Sequence, residues 1–384
     1  NPYPAGVLQP AGASQGPNTF LGQTAGRFAP LDFRNGQNAR YIVSLQRELP
    51  GQWLLDVGYA GSRGYDLTTD LDINPIPAPY LSTSRVRDQA TIDFLGANVT
   101  DPFLGLIPGT GLNGSISRGQ LLKPFPQFTG VTTSNSNGTT AYKSAQMKIE
   151  RRFTKGYMLL AGYTWSRFTE RLTRLNPTDP TYEERPSSSD VPHRLSFSGI
   201  WELPFGQSRH WLTNAGRLTD AVLGGWSLQA IGQFQSGRPI DFGNLYYNGD
   251  PTTLKVHYSR NTDVPVFDTS GFYFHDAAVQ TNGTDDLTKQ RNDTRIQLAS
   301  NIRYFPSRID GIRGPVLKTW DISLVKQVRL GGSVRAQFNV EFLNAFNQTY
   351  FNDADTNPRN TTFGKVTSQN NLPRDIQLAA KIVF

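Results

Sequence analysis

Cysteine is absent from the 384 residues, which excludes disulfide bridges, thiolate metal centres and cysteine nucleophiles. Histidine is scarce, and the four present (His193, His210, His257 and His275) are too far apart in sequence to suggest a metal motif. Long apolar runs are missing too. No stretch approaches the roughly 18 residues of a transmembrane helix, and Asn1-Pro2-Tyr3-Pro4 is not a secretion signal. The chain is therefore expected to be either soluble or a membrane β-barrel whose signal lies upstream. Charge is sparse at 18% of residues. The net +7 includes no basic cluster interleaved with aromatics, so nucleic acid is not an expected partner, whereas acidic lipid headgroups and lipopolysaccharide are.

What the chain has in quantity is aromatics and turn formers: 23 Phe, 15 Tyr and 6 Trp beside 36 Gly and 25 Pro. That composition suits many strands joined by turns and long loops. Apolar residues recur with a period of two over segments longer than soluble sheets use. Tyr41, Val43, Leu45 and Leu49 alternate with Arg40, Ser44, Gln46 and Glu48. Ala145, Met147, Ile149 and Phe153 share a side, as do Tyr157, Leu159, Ala161, Tyr163 and Trp165. Leu195, Phe197, Gly199 and Trp201 continue the pattern, then Trp226, Leu228, Ala230 and Phe234. Val334, Ala336, Phe338, Val340 and Phe342 show it most clearly, opposite Arg335, Gln337, Asn339 and Glu341. Strands of this length can cross a bilayer at a tilt, and the aromatics near their ends suit interfacial girdles. A large soluble sandwich is the alternative, with the apolar faces packed on a second sheet.

The connections sort by length. Pro50-Gly51, Thr154 to Gly156 and Leu330 to Gly332 are tight turns, and 204–222 is a moderate connection on the same side. Residues 62–140, 169–191, 237–317 and 346–373 are long loops on the other, with a further hairpin expected around Phe128 to Ser134, turning at Asn135 to Gly138. Such asymmetry is that of an outer-membrane barrel. Residues 1–38 are expected to be loop and residues 39–384 to hold roughly nine strands. Single-chain bacterial barrels have even counts, so the segment is expected to be the C-terminal portion of a larger one.

Motifs with chemistry are weak. Gly109 to Gly114 spells a dinucleotide fingerprint but follows Pro108 and lacks the acidic residue about 20 positions on. Asp353, Asp355 and Asn357 imitate a calcium loop, with Pro358 and Gly364 where Gly and Glu are required. Ser187 to Ser189, Asp190 and His193 crowd hydrolase letters into one short segment, which reads better as a loop-to-strand junction. No enzyme and no cofactor is expected.

Several segments, taken together, resemble a known family. Asn38-Ala-Arg-Tyr-Ile-Val-Ser-Leu-Gln-Arg-Glu-Leu-Pro50 with Asp56-Val-Gly-Tyr-Ala-Gly-Ser62, then Asp190-Val-Pro-His-Arg-Leu-Ser-Phe-Ser-Gly199 and Leu203-Pro-Phe-Gly206, are similar to the C-terminal barrel of Oar-like TonB-dependent outer-membrane receptors. Leu223-Gly-Gly-Trp226, Arg313-Gly-Pro315, Phe342-Leu-Asn-Ala-Phe-Asn347 and Phe363-Gly364 extend the likeness over nearly the whole chain. It implies an all-β, antiparallel transmembrane barrel of about 22 strands in a Gram-negative outer membrane. It also implies a plug and a TonB-contacting box, neither of which is in this sequence, so the TonB complex would be met through an upstream region. The implied function is energised uptake or passage of a large or scarce substrate. A surface adhesin anchored by a barrel is the alternative. Gln377, Ala379, Ile382 and Phe384 resemble the terminal-strand signal read by the barrel-assembly machinery, with Ala379 in place of the usual Gly.

Overall fold

Alternation of apolar and polar side chains builds nine long strands that, joined by tight turns and long connections, pair in sequence order into one antiparallel sheet. They are β1 (Gln37–Leu49), β2 (Trp53–Asp72), β3 (Thr132–Thr154), β4 (Tyr157–Arg171), β5 (His193–Glu202), β6 (Trp226–Gln235), β7 (Leu317–Gly331), β8 (Val334–Leu343) and β9 (Asp375–Val383). The structure, a computed structural model, describes residues 16, 20–85, 88–105, 114–207, 209–243, 245, 247, 249–272, 300–357 and 360–384. At the turn after β3, Lys155 and Gly156 have φ of 50° and 85°, the left-handed pair that matches the twist of a tight hairpin.

Register carries one face unbroken across the sheet. Leu45 lies opposite Val57, Val57 opposite Met147, Met147 opposite Tyr163 and Tyr163 opposite Leu195. Further along, Trp201 faces Leu228, Leu228 faces Leu324, Leu324 faces Val340 and Val340 faces Leu378. None of these side chains is fully buried: Leu228, Leu324 and Val340 are half-buried and the others exposed, up to Leu378 at 77%, so among the described residues the sheet's apolar face is not packed on a second sheet. That removes the soluble sandwich. Two cations on this face sit at its short-turn end. Arg151 lies over the Tyr157 ring at 3.6 Å and donates to the Gly51 carbonyl, and Lys326 donates to carbonyls of Val222 and Gly224 beside the helix α1 (Arg217–Leu223).

The sheet is open. β1 and β9 each have one partner among the described residues, and with nine alternating strands they run in the same direction. An unpaired edge in hydrocarbon leaves N–H and C=O groups unsatisfied at several kcal/mol each, so both edges need partner strands in a membrane.

The predicted loop boundaries need correction. β2 and β3 run for 20 and 23 residues, so 62–72 and 132–140 are strand and the connection is 73–131. The segment expected to turn at Asn135 to Gly138 is continuous strand, with Asn135 opposite Thr69 and Gly138 opposite Leu67. Gly138 serves close approach, because a Cβ there would lie 2.7 Å from the Leu67 carbonyl oxygen and 2.8 Å from the Leu172 side chain. At about 3.3 Å per residue the hairpin spans about 65 to 75 Å, well beyond a bilayer core. Past the membrane both faces meet polar surroundings, so the period-two signal fades while the ladder continues. Likewise β4 extends to Arg171, and residues 237–317 contribute a separate two-stranded sheet, Pro239–Asp241 paired with Arg308–Arg313.

The buried core lies outside the sheet. Ile240, Phe242, Leu245, Leu254, Val266, Phe267, Phe272, Phe305, Ile312, Ala354, Phe363 and Val366 form one cluster, drawn from the connections after β6 and β8. Phe242 and Phe272 stack at 5.4 Å, and Phe363 meets Phe272 edge-on at the same distance. Burying a Phe contributes about 1.5 to 3 kcal/mol, so these connections form a packed module in place of a set of loops.

Candidate functional site

The sheet's second face is polar along its length. Gln46 donates to Asp56 at 3.2 Å, Arg194 to Gln235 at 3.1 Å and Gln337 to Asn339 at 2.8 Å, and Lys148 pairs with Glu150 at 2.9 Å. Gly58 and Gly162 open a hollow of about 370 Å³ in this wall, bordered by Asp56, Lys148 and Arg194. Such a wall offers many weak hydrogen-bonding positions of both charges and no deep trap, a surface over which a polar solute can exchange partners.

At the long-loop end the wall meets a latch. Glu170, at the top of β4, accepts from Arg185 at 3.0 Å and from Arg308 at 2.7 Å, and its side chain is 8% exposed. Arg308 also reaches Asp241 at 2.7 Å. Glu183 takes the amide and hydroxyl of Ser307 at 2.9 and 2.7 Å, while Asn176 exchanges two hydrogen bonds with the backbone of Arg303. Arg303 donates to the carbonyls of Phe305 and Phe242, joining the latch to the aromatic core, and burial pushes its guanidinium below its ordinary value against the pull of Glu183 and Asp241. The connection after β4 thus clamps the Phe-rich module onto the sheet. Removing one member of a buried pair strands the other, at about 3 to 5 kcal/mol. Glu170→Ala should release the module, read as faster proteolysis between 237 and 317 while the barrel keeps its heat-modifiable mobility; unchanged proteolysis would show that the aromatic core alone holds the module.

Sequence reasoning missed this latch because its partners lie up to 138 residues apart. The available signal was the number of Phe residues in segments otherwise read as polar loop.

The expected terminal-strand residues all fall on β9 or just past it. Gln377 and Ala379 lie on the polar face opposite Glu341 and Asn339, and Ile382 lies on the apolar face opposite Ala336. Phe384 follows with the same parity, 89% exposed. The hydrolase letters are not assembled. Asp190 accepts from the Phe168 amide and from Arg313, whereas the His193 Nδ1 meets the Tyr163 hydroxyl at 2.8 Å. Nor is the calcium imitation a cage. Burial works to raise the Asp355 carboxyl, but hydrogen bonds from Thr362, Asn357 and Asn360 outweigh it and hold the group below its usual range. Burial pushes Asp353 up. Among the described residues no three acidic or histidine side chains gather as metal ligands. Residues 109–113 of the glycine motif lie outside the described residues.

Similarity to solved structures is low. The outer membrane transporter YddB from Escherichia coli is 10% identical at a TM-score of 0.37, over 91% of this chain and 33% of that one. The FrpB iron transporter from Neisseria meningitidis is 10% identical at 0.37, over 92% and 32%. The chain therefore spans about a third of the length of these structures. No curated protein matches it. The family model for the outer membrane beta barrel domain matches residues 1–377. With one face apolar and open and the opposite face polar, the chain belongs to the outer membrane beta barrel domain family and resides in the outer membrane.

Proposed function

We propose that the chain is the C-terminal barrel section of an Oar-like TonB-dependent receptor that moves a large or scarce polar solute across the outer membrane. The observation that carries this reading is the pairing of a polar wall with a latched module at its outer end. The module provides a built surface for capture, and the wall below it provides passage without a tight stop. Energy would come through the TonB complex, met by a region upstream of residue 1, and the barrel-assembly machinery would insert the barrel.

The test compares solute depletion from the medium by cells carrying the full-length receptor, the receptor with Glu170→Ala, or no receptor, each with and without TonB. Depletion of a solute is expected only when receptor and TonB are both present, and it should fall in the latch variant. Uptake that persists without TonB and without a proton gradient would reject energised transport. The competing reading is a surface adhesin, favoured by the same folded module. It would show cell or matrix attachment lost on release of the module, with no solute depletion.

A further inference from the structure

Lys143 and Arg167 are directly opposite each other on β3 and β4, on the apolar face of the sheet and beyond its band of apolar side chains. Like charges placed opposite across a ladder repel. Arg63, on β2, is diagonal to Lys143 on the same face, since Gly61 is its direct partner. All three side chains are exposed. Arg167 shares Asp310 with Arg313, at 3.4 and 3.1 Å, and Arg313 also pairs with Asp190 at 2.7 Å. Among the described residues, neither Lys143 nor Arg63 meets a carboxylate. Beside Lys143 and Arg167 is a hollow of about 510 Å³, also lined by Tyr59, Trp165 and Arg313, and by Asp190 and Asp310, whose carboxylates are taken up by Arg313 and Arg167.

The position of this cluster selects its ligand. Two residues closer to the membrane on the same strands stand Ala145 and Trp165, and two further Met147 and Tyr163. At about 3.3 Å per residue the cations lie about 7 Å beyond the aromatic level, where the headgroups of the outer leaflet begin. An anion held there would relieve the repulsion between Lys143 and Arg167, and an acyl chain attached to it could run down past Trp165 and Met147. A free anion would gain the first interaction and not the second.

We propose that Lys143, Arg167 and Arg63 form a binding site for the phosphate groups of outer-leaflet glycolipid, with its acyl chains laid along the apolar face below. The site is independent of the transport reading. It fixes one flank of the barrel, beneath the latched module, to the lipid around it.

The experiment uses the full-length folded protein in detergent, with native mass spectrometry to follow added lipid. Wild type should retain bisphosphorylated lipid A and bind its dephosphorylated counterpart about tenfold less, the order expected for losing a charge-assisted contact. Lys143→Ala with Arg63→Ala should lose the same factor for the phosphorylated lipid, and Lys143→Arg should keep it. Millimolar inorganic phosphate should not displace the lipid. Equal retention of both lipids by wild type would overturn the proposal, and that comparison needs no variant to fold. Displacement by inorganic phosphate would overturn it in favour of a free-anion site.

Discussion

Val340→Arg is expected to destabilise the full-length barrel in lipid by about 2 to 4 kcal/mol and Leu159→Arg, opposite Arg151 at the short-turn end, by less, while Ser196→Arg or Gln337→Arg changes it little. Leu159 and Val340 belong to the continuous apolar face, Leu159 opposite Gly199 and Val340 between Leu324 and Leu378. Ser196 and Gln337 belong to the other face, beside Gln233 and Lys381. An arginine among acyl chains must drag its charge towards a headgroup, and near the midplane the side chain is too short to reach. On the polar wall it joins water and existing partners. Reversible folding into bilayers of defined thickness measures the difference, and equal penalties on the two faces would mean that the apolar face does not meet lipid.

Ile382→Asp combined with Phe384→Asp is expected to leave synthesis intact and abolish membrane insertion of the full-length protein. β9 pairs only with β8 among the described residues, so its other edge is a free row of donors and acceptors. An edge of this kind is a template for a further strand, and the apolar residues beside it determine which face turns to lipid. Two carboxylates on that face oppose insertion from both the template and the lipid. Heat-modifiable protein at wild-type abundance in the membrane fraction would show that these residues carry no assembly information.

The membrane-spanning parts of the strands were legible because lipid on one side and water on the other impose the alternation seen from Val334 to Phe342. Beyond the membrane that asymmetry ends. Thr132 to Gly138 are polar on both faces, so Asn135 to Gly138 read as a turn although they continue the ladder of β3. The outer module was illegible for a different reason. Phe242, Phe272, Phe305 and Phe363 converge from distant, aperiodic segments, and no local pattern announces that they will meet. The latch shares this property, because Glu170 and Arg308 look like ordinary surface charges until the chain between them folds back. The apolar and polar faces were thus visible in the sequence, whereas the site at the outer end depended on contacts between remote segments.

The distances along the chain between the module's contacts also set an order of events. Every ladder of the sheet joins neighbours in the strand sequence, so each hairpin can close as soon as its second strand is delivered. The outer end is tied differently: the Ser82 amide donates to Ser300, and Asn176 binds the backbone of Arg303. Those closures span more than half and about a third of the chain, and neither can form until the intervening segments have arrived. Barrel growth and completion of the outer surface are therefore separate stages. A nascent protein passes through an interval in which its wall is formed and its cover is not, with Phe-rich segments exposed to whatever lies beyond the membrane.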